Sequence, residues 1–328
     1  MPETQTLSTA MSPRERTPIT QWFWQGGTVV ALLVLIAVFT IVRPDVFLSF
    51  GNLRNILEQI SILTIIAAAQ TLVMVVGDFD LSVGTNATLA GATAAAMMAT
   101  GTPVPIAILA ALAVGALVGV VNGFLVAFMK LSAFVATLAT MTTVGGLAFI
   151  VTNGTTIYEM PEEFFLIGQA RPFGVPLPIF FAIATALVVW VILRYSVLGR
   201  RLYAIGGSVE VARLSGISVR WTRFYAFTLS GLLSAIGGVI LVSRLGSANP
   251  TSANSYMMLA IGAVFLGMTI LKSGKANMGG TLVGVGIIGV ISNGLNILGV
   301  NMYIQQVLTG LIIIAAVTLS AIKSRDAS

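Results

Sequence analysis

The chain reads as an all-α protein, a polytopic transmembrane helix bundle of about ten spans. Three observations predict this. At 57% hydrophobic and 9% charged residues, the 328 residues carry more apolar surface than a soluble domain of that length could bury. Apolar runs of about twenty residues recur and are cut by short polar or Pro/Gly borders. The basic residues fall in those borders rather than along one continuous face, so the net charge of +6 marks membrane topology and not nucleic-acid binding. With no cysteine and no histidine, disulfides, thiolate or imidazole chemistry and Cys/His metal sites are excluded.

Residues 1–21 hold Pro2, Pro13, Pro18, Arg14 and Arg16 and read as a disordered cytoplasmic tail. No cleavage pattern follows the first apolar run, which is therefore expected to stay as an anchor. The membrane domain covers residues 22–322, followed by a short cytoplasmic tail, 323–328. Its first span runs from about Phe23 to Val42, past the interfacial Trp22 and Trp24, and closes at Arg43-Pro44-Asp45. The second is Asn55 to Val76 and the third Leu81 to Thr100. A Gly-Thr-Pro-Val-Pro turn precedes the fourth, which ends near Phe128, and the fifth is Ala133 to Thr152. Residues 153–177 are polar and Pro-containing, a loop with room for a short surface helix. The remaining spans are Pro178 to Leu193, Trp221 to Val242, Tyr256 to Leu271, Met278 to Leu298 and Tyr303 to Ile322.

Orientation follows from the basic residues. With the N-terminus in the cytoplasm and strict alternation, Arg14, Arg16, Lys130, Lys272, Lys275, Lys323, Arg325 and the six arginines between Arg194 and Arg223 lie inside. Only Arg43, Arg54, Arg171 and Arg244 lie outside, so both termini are expected in the cytoplasm. The loop 194–223 is the longest basic interruption, with Glu210 its single acid.

VVNGFLVAF at 120–128 resembles ISNGLNILG at 291–299, on spans of opposite direction, which raises the possibility of inverted repeats meeting near mid-membrane. GVGIIG at Gly284 to Gly289 has the letters of a dinucleotide fingerprint, but it lies inside an apolar span with no acid before Asp326. Its glycines, like Gly115, Gly119 and Gly123, are expected to make close helix contacts. No phosphate-binding GxxxxGK[ST] loop occurs, so ATP is not bound by such a loop of this chain.

GDFDLSVG at 77–84 places Asp78 and Asp80 between two apolar spans. Intramembrane acids normally face a cavity or a partner. The alternative is a cytoplasmic turn in which Asp80 caps a helix starting at Leu81. Asn86, Asn122, Asn293, Asn296, Gln305 and Gln306 sit within spans, where they either line a hydrophilic path or make interhelical hydrogen bonds.

From about Asn52 to Val317 the chain resembles the permease subunits of bacterial ABC importers of the ribose, xylose and galactoside type. GDFDLSVG resembles that family's Gly-Gly-Ile-Asp-Leu-Ser-Val-Gly signature. NGFLVAFMKLSAFVATLATM at 122–141, TNG at 152–154, LGRRLYAIGGSVEVARLSGISV at 198–219 and NGLNILGV at 293–300 are similar to further blocks in the same order. The resemblance implies that Gly206 to Gly216 form a short helix docking into a groove on a cytoplasmic ATPase subunit. Ser208 can cap such a helix, and Glu210, Ala212 and Arg213 would supply a compact docking face between Gly206 and Gly216. Three features depart from the family: Met257-Met258-Leu259 stand where it has Glu-Leu-Asp, Gly145 where it often has Arg, and Lys272-Ser-Gly-Lys-Ala-Asn277 where its loop is usually Gly-rich.

The resemblance implies a membrane-spanning importer subunit of the bacterial inner membrane, for a monosaccharide or similar polar solute. A periplasmic binding protein would deliver the solute, ATP would be bound by the partner subunit, and a second permease copy or a related chain would complete the path. No cofactor, metal or enzymatic activity of its own is expected. Two other readings stay open: an ABC importer of a nucleoside or furanose signal, and an ion-coupled secondary transporter with Asp78 or Asp80 as the ion site.

Overall fold

The computed structural model describes the backbone of residues 18–268 and 274–325; most side chains of residues 18–28 and 319–325, with those of 313, 316 and 317, fall outside the description. The expected tails therefore lie largely outside the described residues, as do Lys272 and the end of the expected eighth span. The first helix starts at Pro18, inside the segment expected to be disordered.

All regular structure among the described residues is helical apart from one isolated β-bridge. The long helices are α1 (Pro18–Val42), then, past the single turn α2 (Pro44–Phe47), α3 (Phe50–Val75), α4 (Val83–Ala99), α5 (Val104–Ala127) and α6 (Ala133–Val151). The surface helix α7 (Glu162–Gln169) leads to α8 (Leu177–Tyr195). The basic loop folds into α9 (Val197–Gly207) and α10 (Val209–Leu214), and the chain ends with α11 (Val219–Leu245), α12 (Asn254–Met268), α13 (Met278–Ile297) and α14 (Met302–Arg325). The ten long helices coincide with the ten expected segments. Among the described residues six helices, α3, α5, α6, α8, α11 and α13, are long and apolar enough to cross a membrane.

Two helices form the axis of the bundle. α3 and α11 are buried along most of their length and cross antiparallel: Ile66 meets Gly237 near the middle, Glu58 pairs with Arg244 at one end, and Asp78 with Arg223 at the other. Around them the packing repeats in the opposite sense. α5 lies on α11 as α13 lies on α3; α4 contacts α11, α5 and α6 as α12 contacts α3, α13 and α14. This is the arrangement of inverted repeats, and the two similar segments at 120–128 and 291–299 fall on the corresponding helices α5 and α13. The outer helices α5, α6 and α8 turn Ile106, Leu117, Phe134, Phe149, Ile183 and Leu187 outward, as lipid-facing surfaces require.

α4 and α12 do not start at the membrane surface. Asn86, in the first turn of α4, reaches the carbonyls of Gly115 and Gly231, each half-way along α5 and α11. The start of α12 meets the start of α4, with Gly84 against the carbonyls of Ala253 and Asn254. Each half-helix is reached by a segment that turns back into the bundle after a left-handed glycine, Gly77 (φ +90°) after α3 and Gly246 (φ +65°) after α11.

Helices approach this closely because glycine lines the seams. Gly115, Gly119 and Gly123 face α11, Gly284 faces Ala263 of α12 and Gly289 faces Ile60 of α3, so GVGIIG is a packing motif as its context implied. The tightest seam is α4 on α11, where a Cβ at Gly238 would overlap the backbone of Ala87. Gly238→Val is expected to cost about 1–3 kcal/mol through overpacking, and Gly51→Ala, with open space around it, close to nothing. Thermal denaturation in detergent checks this; equal midpoints for both variants would contradict the seam.

Candidate functional site

The bundle has one strongly basic end, carrying Lys130, Lys275 and the six arginines from Arg194 to Arg223. From that end the segment after α3 descends to mid-depth. Asp78 lies 3.0 Å from Arg223 Nε, in the first turns of α11, with the N–H off the line to the oxygen, so the contact is an ion pair rather than an aligned hydrogen bond. Asp80 lies deeper and is 1% exposed. Its Oδ1 accepts from the Ser82 amide (2.9 Å) and hydroxyl (2.6 Å), and its Oδ2 accepts from Ser230 of α11 (3.1 Å). Leu81 N–H donates to Thr137 of α6, and Asn122 of α5 donates to the Ser82 hydroxyl at 2.8 Å.

Both acids face partners, Asp78 in Arg223 and Asp80 in Ser230. The pair is not in a solvated turn, since Asp80 is buried and the Asp78 side chain is largely so. Nor does Asp80 cap a helix at Leu81: α4 begins at Val83, and the carboxylate takes the N–H of the N-cap residue Ser82. The negative charge nevertheless sits where a helix N-terminus favours it.

The asparagines divide. Asn86 and Asn122 are buried and make interhelical hydrogen bonds. Asn293 exchanges hydrogen bonds with Asn52 of α3 at 2.9 and 3.0 Å. Asn296 is exposed and, with Asn293, Glu58, Arg171 and Arg244, borders a polar recess of about 500 Å³ at the end opposite the basic one.

Where the two half-helices meet, a cavity of about 320 Å³ opens between α4, α6 and α12, lined by Leu81, Thr85, Met141, Thr142, Gly145, Asn254 and Met257. It carries no charged side chain. Gly145 and Met257, two of the positions at which the chain departs from the pattern it resembles, border this same cavity although they lie more than a hundred residues apart.

At the basic end, α9 and α10 make a helical elbow. Ser196 caps α9 through the Gly199 amide (2.9 Å), and Ser208 caps α10 through the Val211 amide (3.3 Å), as its position predicted. Glu210 and Arg213 are exposed and pair at 2.7 Å. Ala212 does not belong to that face: it is 2% exposed and packs into the core with Leu202 and Ile205. Gly206 approaches the Val75 carbonyl at the end of α3 too closely for a side chain, and Gly216 (φ +77°) turns the chain after α10. Tyr203 donates to the Ala276 carbonyl at 3.1 Å, tying α9 to the segment before α13.

Sequence reasoning missed both ion pairs of the axis. The signals were Glu58 inside an apolar span and Arg244 on the side with few basic residues, but their pairing needs the antiparallel crossing of α3 and α11. Arg244 Nε donates to Glu58 at 3.1 Å.

A bundle with inverted packing, two helices that start at mid-depth and an uncharged cavity between them defines a membrane transport protein of the permease class. Residues 52–317 match the family described as branched-chain amino acid transport system / permease component, and the chain belongs to that family. It is 40% identical over 300 residues to the ribose import permease protein RbsC of Escherichia coli (strain K12), covering 90% of this chain and 93% of that protein. It is 37% identical over 301 residues to the L-arabinose transport system permease protein AraH of the same strain, covering 92% of each. The D-allose transport system permease protein AlsC, also from that strain, is 33% identical over 305 residues, covering 92% of this chain and 94% of AlsC. No solved structure matches the chain.

The Asp78–Arg223 contact is partly buried, so either charge left alone is costly. Arg223→Met is expected to destabilise by about 1–3 kcal/mol, with part of the loss recovered when Asp78→Asn is added. A double-mutant cycle on the denaturation midpoint measures the coupling; strictly additive losses would show that the pair does not interact.

Proposed function

We propose that this chain is the membrane-spanning subunit of an ATP-driven importer of a monosaccharide or a related neutral polyol. The observation that carries the proposal is its identity to ribose, arabinose and allose permeases over nine-tenths of its length. The solute arrives from a binding protein at the face opposite the basic end, passes near the cavity between α4, α6 and α12, and leaves into the cytoplasm. The family description names branched-chain amino acids, but a zwitterion crossing the bundle calls for charged partners. The cavity at Thr85, Thr142 and Asn254 offers only hydroxyl and amide groups, which suit a polyol.

In this reading the basic end faces the cytoplasm, following the distribution of Lys and Arg. The α9–α10 elbow docks an ATPase subunit, with Glu210 and Arg213 as its exposed charged face. ATP is bound and hydrolysed in that partner, and a second permease copy completes the path. Alternating access then needs two states of the bundle with different affinities for the partner. Import of a nucleoside or furanose signal shares this design. The ion-coupled alternative finds its two carboxylates already engaged, Asp78 by Arg223 and Asp80 by Ser82 and Ser230.

The test is uptake in proteoliposomes holding the permease, its ATPase and its binding protein, with labelled ribose, arabinose, allose and leucine offered in turn. ATP-dependent uptake of a sugar and not of leucine is expected. Glu210→Lys and Arg213→Glu are each expected to cut uptake at least about tenfold, the effect of about 1.4 kcal/mol at a docking interface. Full transport by both variants would remove the docking role. Uptake that survives ATP depletion and collapses with the ion gradient would overturn the importer reading.

A further inference from the structure

We propose that an anionic phospholipid is bound as a structural lipid in the groove between α8 and α13. At the basic end this groove opens as a recess of about 660 Å³ whose polar lining includes Arg194, Arg200, Lys275 and Tyr203. No carboxylate borders it, and none of the three cations has an acidic partner among the described residues. Three uncompensated cations converging from the end of α8, from α9 and from the segment before α13 make a site for a phosphate-type anion.

The recess does not end at the headgroup level. Trp190, Met278 and Gly279 are shared with a second, apolar space of about 560 Å³, bordered by Ile60, Ala182, Ile183, Ala186, Leu187 and Leu282. This slot follows α8 from Trp190 back to Ile179, about 17 Å by helical rise and close to one leaflet of a hydrocarbon core about 30 Å thick. A soluble anion would use the cations and leave the slot empty. A charged headgroup with an acyl chain attached matches both halves, and Trp190 sits at the join, where an indole favours the membrane interface.

The site also has a place in the machine. Tyr203, on the recess wall, holds the Ala276 carbonyl, so a lipid phosphate bridging Arg194, Arg200 and Lys275 fastens α9 to the segment leading into α13. The inference rests on the orientation proposed above only for the identity of the leaflet. Lipid binding itself is read independently of transport.

The permease, purified with its ATPase subunit in mild detergent from its native membrane, is examined by native mass spectrometry. A retained anionic phospholipid such as phosphatidylglycerol is expected. Arg194→Gln with Lys275→Gln, both at the open recess, is expected to weaken retention about thirtyfold, as two lost basic contacts imply. Ala186→Trp, which fills the slot and leaves the charge unchanged, is expected to abolish it. Phosphatidylcholine of the same chain length should not substitute, and millimolar inorganic phosphate should not displace the lipid. Equal retention of phosphatidylcholine, displacement by inorganic phosphate, or unchanged phosphatidylglycerol in the two charge-removed positions would each overturn the proposal. So would a peptide of the ATPase subunit cross-linked into the slot.

Discussion

Two helices that begin in the middle of a membrane present the central physical problem of this structure. A helix N-terminus exposes amide groups with no intrahelical partner, and in lipid there is no water to take them. At α4 the amide of the N-cap residue Ser82 is taken by Asp80, which also accepts from the Ser82 and Ser230 hydroxyls, while Asn122 donates to the Ser82 hydroxyl. α12 meets it with Thr88, whose hydroxyl accepts the Ala253 amide at 3.0 Å. The polar groups at mid-depth are thus first of all what allows helices to be broken there. The antiparallel pair α3 and α11, fixed by an ion pair at each end, supplies the rigid frame on which the two broken helices hang.

Much of this was legible in the sequence because hydropathy, chain length and helix caps are local properties. All ten long helices were found where apolar runs met Pro, Gly or charge, and the Ser208 cap was readable from its position alone. What was not legible depends on depth. A window of hydrophobicity cannot tell a helix that crosses from one that starts half-way, so α4 and α12 read as ordinary spans. The same blindness left Asp80 suspended between a solvated turn and a path. It is a buried carboxylate bonded to the N-cap residue of α4, a role that requires knowing how far the chain folds back after Gly77.

Ala212 and the asparagines show a second limit. On a short helix between Glu210 and Arg213, Ala212 looks like part of an exposed surface, but helical geometry turns it inward onto Leu202 and Ile205 while its neighbours stay outside. Asn86 and Asn122 were candidates for a path because polar groups in spans are costly. Their amide N–H groups are taken by backbone carbonyls and the Ser82 hydroxyl, which a sequence does not bring together. Conversely, Gly145 and Met257 were noticed only as departures from a pattern. Their shared cavity gives the departures one physical meaning: the mid-depth space is without charge on both sides at once.

The same contacts bear on how a cytoplasmic event could reach that space. Gly206 of α9 rests on the Val75 carbonyl, the last residue of α3, and the next few residues are the segment that carries Asp78 and Asp80 to the start of α4. Arg223, at the base of α11, grips that segment beside the elbow. A displacement of α9 and α10 therefore bears directly on the one non-helical stretch that runs from the basic end to mid-depth, where the backbone is not stiffened by helical hydrogen bonds. Packed helices move as rigid units between discrete arrangements, and hinges fall in such connecting segments. In the proposed importer, Gly77 to Ser82 would be the mechanical link between the ATPase and the cavity, with the buried Asp80 tying the start of α4 to α11 through Ser230.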